Sequence, residues 1–209
     1  MRTLGGFVTL LLVLAAACRP VPQPSRLSIG ATLPLTSVDA TLAASWRRGY
    51  ERAVAEVNRA GGVLLQATSR RVQVVLEIAD DKGELDTAER EAQRLAAMGV
   101  RALLATPGVI RMAAQSAIAQ RNAIPYVVPA DAGPELKASA RPWVLVSPDT
   151  AATDEEAAYH TALAALAAVG RAASLDSEAI RRAFGIPAAE TTNPRPEGGA
   201  AQAPAGGLR

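Results

Sequence analysis

Asp80-Asp81 is the pair whose type and spacing could most readily do chemistry, since two carboxylates closing an extended apolar run can share a proton or hold a cation. Neighbours in extended backbone point to opposite sides, so the pair is read as helping to cap the helix that follows. The only histidine, His160, sits in a helical stretch among alanines, and no nucleophile elbow completes a Ser-His-Asp set. It reads as a surface or half-buried helical residue. Trp46 and Tyr50 fall on an apolar stripe at helical spacing and read as core, not as a binding cage. None of these residues carries an enzyme signature, and neither a metal site nor a cofactor is expected from them.

The remaining reactive group is the thiol of Cys18, the only cysteine in 209 residues, which can form no internal disulfide. It follows the apolar run Phe7 to Ala17, which begins after Arg2 and closes on Ala15, Ala16 and Ala17. Such a run reads as a secretory signal and falls short of the roughly 20 apolar residues that span a bilayer. The stretch is similar to the lipobox of bacterial lipoproteins, which implies a lipidated Cys18 as the mature N-terminus. A plain signal peptide with an incidental cysteine is the other reading. Residues 1–17 are therefore expected to be a signal peptide. Residues 18–26, with Pro20, Pro22 and Pro24, are expected to be a lipidated, extended tether holding the protein outside the cytoplasm on a bacterial membrane.

The elements that must position any site come next. A composition of 49% hydrophobic residues at net charge +2 is that of a globular domain, while 3% aromatics and no basic block leave no nucleic-acid surface. LSIGATL (27–33) has the short apolar character of a strand. From Asp39 to Ala60, Leu42, Trp46, Tyr50, Ala53 and Val57 recur at helical spacing, and Gly61-Gly62 supplies the stop. The alternation repeats with a strand at 71–79, a helical stripe of Leu85, Ala88, Ala92 and Leu95, and a strand at 101–106. A helix carrying Ile110, Ala114, Ala117 and Ile118 follows, then strands at 124–128 and 143–146. This rhythm predicts an α/β fold with a doubly wound, mostly parallel sheet. Residues 27–150 form that lobe, and 151–186 are two helices packed on it, the first opened by the capping box Thr153-x-x-Glu156. Residues 187–209, rich in Pro, Gly and Ala, are expected to be disordered.

In open α/β sheets, ligands bind beyond the carboxyl ends of the strands. The loops there are Leu35 to Ser37, Asp80 to Gly83, Pro107 to Ile110 and Ala130 to Gly133.

LSIGATLPLTS, RRGYERAVAEVNRAGGV, VQVVLEIADDKGELDTAEREAQRLAAMGVRALLA and AIPYVVPADAGPEL together resemble the N-terminal lobe of type I periplasmic solute-binding proteins of the branched-chain amino-acid-binding type. The most specific marks are Arg47 to Gly62, Asp80-Asp81 and Ile124 to Ala130. The likeness covers Leu27 to about Thr150, with a weaker echo over Tyr159 to Phe184. It implies a Rossmann-like single lobe in which the second lobe of the family is missing, by internal deletion or because the chain is an N-terminal half.

The resemblance also implies the substrate-binding component of an ABC transporter, with a small polar solute such as an amino acid and a permease as partners. Its ligand residues carry over to Thr36, Ser37, Gly108, Val109, Ala130, Asp131 and Ala132. Val109 stands where a serine is expected and Ala132 where a threonine is, and each lost hydrogen bond to a charged group costs roughly 1.5–3 kcal/mol. Asp131 can accept from an ammonium group or hydrogen-bond its own loop. The alternative reading is a periplasmic protein-interaction module that no longer binds solute. A single lobe without its partner leaves Leu35, Pro107, Val109 and Ala130 facing water as an apolar patch, expected to be covered by a partner protein or by a second copy in a homodimer.

Overall fold

Strand β1 (Arg26–Leu33) is buried along nearly its whole length, as a strand covered on both faces must be. The computed structural model describes residues 26–133, 136 and 142–184. The signal, Cys18, most of the tether and the tail from 187 onward lie outside the described residues. β1 pairs in parallel with β3 (Arg70–Asp80) on one side, Ile29 opposite Leu76. On the other side it pairs in parallel with β4 (Leu103–Leu104), Gly30 opposite Leu103. Parallel pairing continues through β5 (Tyr126–Val128) to β6 (Val144–Val146), and with β2 (Val63–Leu65) at the other edge the order is β2-β3-β1-β4-β5-β6. The fold is thus an α/β lobe on a mostly parallel sheet, the class expected.

The edge strand β2 (Val63–Leu65) departs from the parallel pattern, pairing antiparallel with β3 so that Val63 faces Val72. No strand is expected here from the sequence, because three residues carry too little alternation to register as one. Tertiary contact fixes it instead. The Gln66 amide donates to the Gly170 carbonyl at 2.9 Å, and a Cβ on Gly170 would lie 3.0 Å from the Leu64 carbonyl oxygen.

The helices that the described residues bound are α1 (Ala40–Arg59), α2 (Leu85–Ala97), α3 (Val109–Asn122), α4 (Asp154–Arg171) and α5 (Ser177–Ala183). The crossover β1-α1-β3 runs one way along the sheet, whereas β3-α2-β4 and β4-α3-β5 run the other. Right-handed crossovers therefore place α1 on the face opposite α2 and α3. Helix α4 then returns to α1's side and packs along it. The crossing is tight at Gly49, where a Cβ would lie 2.2 Å from the Glu155 carbonyl oxygen and 2.8 Å from the Ala158 Cβ.

Trp46 and Tyr50 take the core role expected of them. Their rings meet edge to face at 6.0 Å, the Trp46 indole N–H donates to Asp154 Oδ1 at 3.2 Å, and the Tyr50 hydroxyl donates to the Ala105 carbonyl at 2.5 Å. Thr153 caps α4 by accepting from the Glu156 amide at 3.2 Å, and the Glu156 carboxylate accepts from the Ala152 amide at 3.0 Å. Asp176 caps α5 through the Ala179 amide at 2.8 Å.

Candidate functional site

The winding direction reverses between β1 and β4, so the loops leaving their carboxyl ends diverge and open a crevice. The Asp pair organises the rim of that crevice. Asp80 Oδ1 accepts from the Leu35 amide at 2.9 Å, the Thr36 amide at 3.3 Å and the Lys82 amide at 2.9 Å, while Oδ2 accepts from the Thr36 hydroxyl at 2.6 Å. Desolvation opposes its charge, but the Thr36 hydroxyl and these amides outweigh it and hold the carboxyl below its ordinary pKa. Asp81 points the other way and is fully buried, with Oδ1 accepting from the Gly83 amide at 2.9 Å. Burial pushes its pKa up, and the Gly83 amide and the charge of Arg111 offset only part of that rise. Neither side chain caps α2, whose N-cap is Glu84, a residue whose side chain accepts from the Thr87 hydroxyl and caps no backbone amide. The helix-capping expectation is therefore replaced: Asp80 staples the loop after β3 to the loop after β1, and Asp81 ties its own loop through Gly83.

A cleft of about 510 Å³ opens beside these loops, lined by Gly83, Leu85 and Gly108 to Arg111. Its walls are apolar at Leu85, Val109 and Ile110, which are 41%, 48% and 76% exposed. Its polar groups are backbone at Gly83 and Gly108 and the guanidinium of Arg111. That guanidinium donates to Asp39 Oδ2 at 2.9 Å, to the Pro107 carbonyl at 3.2 Å and to the Gly83 carbonyl at 3.4 Å. Such a cleft can hold a small ligand with an apolar body and engage its polar end through backbone groups.

The residues singled out from the sequence distribute unevenly around this cleft. Gly108 and Val109 line it. Thr36 and Ser37 lie on the adjoining loop, with their hydroxyls already engaged. Thr36 bonds Asp80, and the Ser37 hydroxyl donates to the Pro34 carbonyl at 3.1 Å and accepts from the Asp39 amide at 3.0 Å. Ala130, Asp131 and Ala132 sit past β5 and are not among the lining residues. Asp131 is exposed, whereas Ala132 is 3% exposed and its amide donates to the Pro129 carbonyl at 3.1 Å.

The expected apolar patch is also rearranged. Pro107 is buried and Leu35 and Ala130 are half-buried, so the exposed apolar side chains at this end are Val38, Leu85, Val109 and Ile110. Sequence reasoning named the loop Pro107 to Ile110 but missed Leu85 and Arg111. A cation in the first turn of a helix was the signal that could have found Arg111. His160 is half-buried on α4, its ring 5.6 Å from that of Tyr159. Among the described residues, no group of three or more His, Cys, Asp or Glu side chains could hold a metal ion.

Comparison with known proteins gives consistent findings. A family described as "Periplasmic binding protein" matches residues 26–154. Among curated relatives, the chain is 32% identical over 114 residues to "Leu/Ile/Val-binding protein homolog 3" of Brucella melitensis, covering 54% of this chain and 29% of the relative. It is 30% identical over 131 residues to "Leu/Ile/Val-binding protein BraC3" of Rhizobium johnstonii, covering 62% and 33%. The chain thus spans about a third of the length of the curated relatives it matches. A solved structure, described as a possible leucine/isoleucine/valine-binding protein from Rhodopirellula baltica, is similar with a TM-score of 0.50 at 18% identity. That likeness covers 63% of this chain and 34% of the other, and it bears on the fold alone.

Proposed function

The chain belongs to the periplasmic binding protein family, and from that premise we propose that it is an extracytoplasmic solute-binding lobe for amino acids or similar small solutes, serving uptake through an ABC permease. The observation that carries this reading is the cleft at the reversal of the sheet's winding. There Leu85, Val109 and Ile110 offer an apolar wall beside the backbone of Gly83 and Gly108. An aliphatic side chain fits such a wall, and each buried methylene contributes roughly 0.8 kcal/mol. Val109 and Ala132 put no hydroxyls where the family resemblance expects them, so selection rests on backbone groups and apolar contact. Isothermal titration of the mature chain against a panel of aliphatic amino acids and amides tests the reading. Heats of binding with leucine, isoleucine or valine are expected, and silence across the whole panel would end it.

A second reading has its own observation: Ile110 is 76% exposed and Val109 48% exposed on a face that the family resemblance pairs with another lobe. On this reading the lobe binds a protein, or a second copy of itself, over that face. Sedimentation at micromolar concentration separates the two. A dimer that Val109→Asp dissociates would favour interaction, and a strictly monomeric wild type would remove the homodimer form.

The lipid anchor completes the proposal. Cys18, after its apolar run and before the proline-rich tether, would carry the acyl chains that hold the lobe at the membrane. Cys18→Ala should move the protein from the membrane to the soluble fraction, and unchanged fractionation would rule lipidation out.

A further inference from the structure

We propose that Arg111 is the positioning residue of the cleft: its guanidinium locks the loops after β1, β3 and β4 into one arrangement. The proposal rests on the solute-binding reading only for what the lock serves. Arg111 occupies the first turn of α3, which carries no acidic residue there and whose N-cap, Gly108, offers no side-chain bond. A cation at that end opposes the helix dipole, so helix formation alone does not favour it.

Tertiary partners make up for that local cost. The guanidinium pairs with Asp39 from the loop after β1, reaches the Gly83 carbonyl in the loop after β3, and bonds the Pro107 carbonyl after β4. Buried Asp81 adds a favourable charge. The side chain is only 19% exposed, against 53% for Arg47 and 51% for Arg94 on the outer faces of their helices.

The guanidinium lies against two glycines whose φ of +75° at Gly83 and +100° at Gly108 L side chains rarely adopt, and at Gly83 a Cβ would also lie 2.8 Å from the Ser37 Cβ, so both loops are held in turns that favour glycine. Lysine cannot substitute fully, because one compact ammonium cannot address a carboxylate and two separated carbonyls as a planar fork does. Breaking a local helix rule where three ligand-presenting loops meet is the pattern expected of a functional position. Holding those loops in place before the ligand arrives lowers the ordering cost of binding.

Amide hydrogen exchange on the full mature chain tests the lock without any ligand. The reporters are Leu35, Lys82, Gly83 and Met112, whose amides are bonded in these loops and in the first turn of α3. In Arg111→Ala they should exchange about tenfold faster or more, the range for losing hydrogen bonds from a charged group. Amides of α1 and of the β1–β3 ladder should keep their rates. Arg111→Lys and Asp39→Asn should fall between, which keeps the test open if the alanine variant folds poorly. Unchanged loop rates, or loosening that is equal throughout the domain in all three variants, would overturn the lock. Titration with L-leucine in parallel should show weaker binding in the same order. If the wild type binds neither L-leucine nor any other member of the panel, the transport reading falls while the exchange pattern still upholds or overturns the lock.

Discussion

Donors from two loops converge on Asp80, while Asp81, one residue on, is enclosed by protein. Extended backbone sends their side chains to opposite sides, so two identical groups titrate in opposite directions. Asp80 has a folded pKa below its unfolded value of about 3.9, so its contribution to stability is complete above that value and is lost as pH falls through the folded one. Asp81 has a raised folded value, so ionisation opposes folding, and stability declines as pH rises from about 3.9 through that value. Carboxyl-carbon NMR should place Asp80 below and Asp81 above the ordinary aspartate value. Thr36→Val should raise the first selectively, and Asp81→Asn should remove the second decline from a series of urea unfolding curves. Coincident titration of the two carboxyls would contradict this geometry.

Helices α1 and α4 meet where both can come close, at Gly49 and Ala158. Intrinsic propensity favours alanine over glycine inside a helix by about 1 kcal/mol. At this position a new Cβ meets the Glu155 carbonyl oxygen at 2.2 Å, and overpacking of this kind costs typically 1–3 kcal/mol. Gly49→Ala should therefore lower the urea midpoint despite better propensity, and Gly49→Leu should lower it further. An alanine variant more stable than wild type would show that the crossing is loose. A similar close approach governs Gly170 against β2, and together these contacts bring the late helix down onto the early part of the chain.

Across the whole lobe, α4 does for α1 what α2 and α3 do for each other: each pair closes one side of a sheet whose central strand is buried on both faces. Removing residues from Thr153 onward would uncover Trp46 and Gly49 on α1 and Val63 on β2. Such a chain should lose cooperative urea unfolding and its near-ultraviolet dichroism and bind a hydrophobic dye. Retained cooperative unfolding would mean that α4 is dispensable to the core.

Much of this fold was legible along the chain. The alternation of apolar strands with helical stripes predicted β1, β3, α1 and α2 within a few residues, and Thr153-x-x-Glu156 marked the start of α4, because each pattern records burial or capping within one segment. The candidate site was legible only in part. Strand-end loops could be named from the alternation, and Gly108 and Val109 do line the cleft. What tertiary structure alone decided was which loops meet. Arg111 and Asp39 stand 72 residues apart, and Asp80 reaches Leu35 across 45. Strand order sets those separations, placing β1 between β3 and β4, and no local periodicity carries that order. The short strand β2, the looped roles of Asp80 and Asp81 and the inward course of Arg111 all depend on it. A segment's sequence determines which of its sides must be covered, but the crossovers of the whole chain determine what covers it.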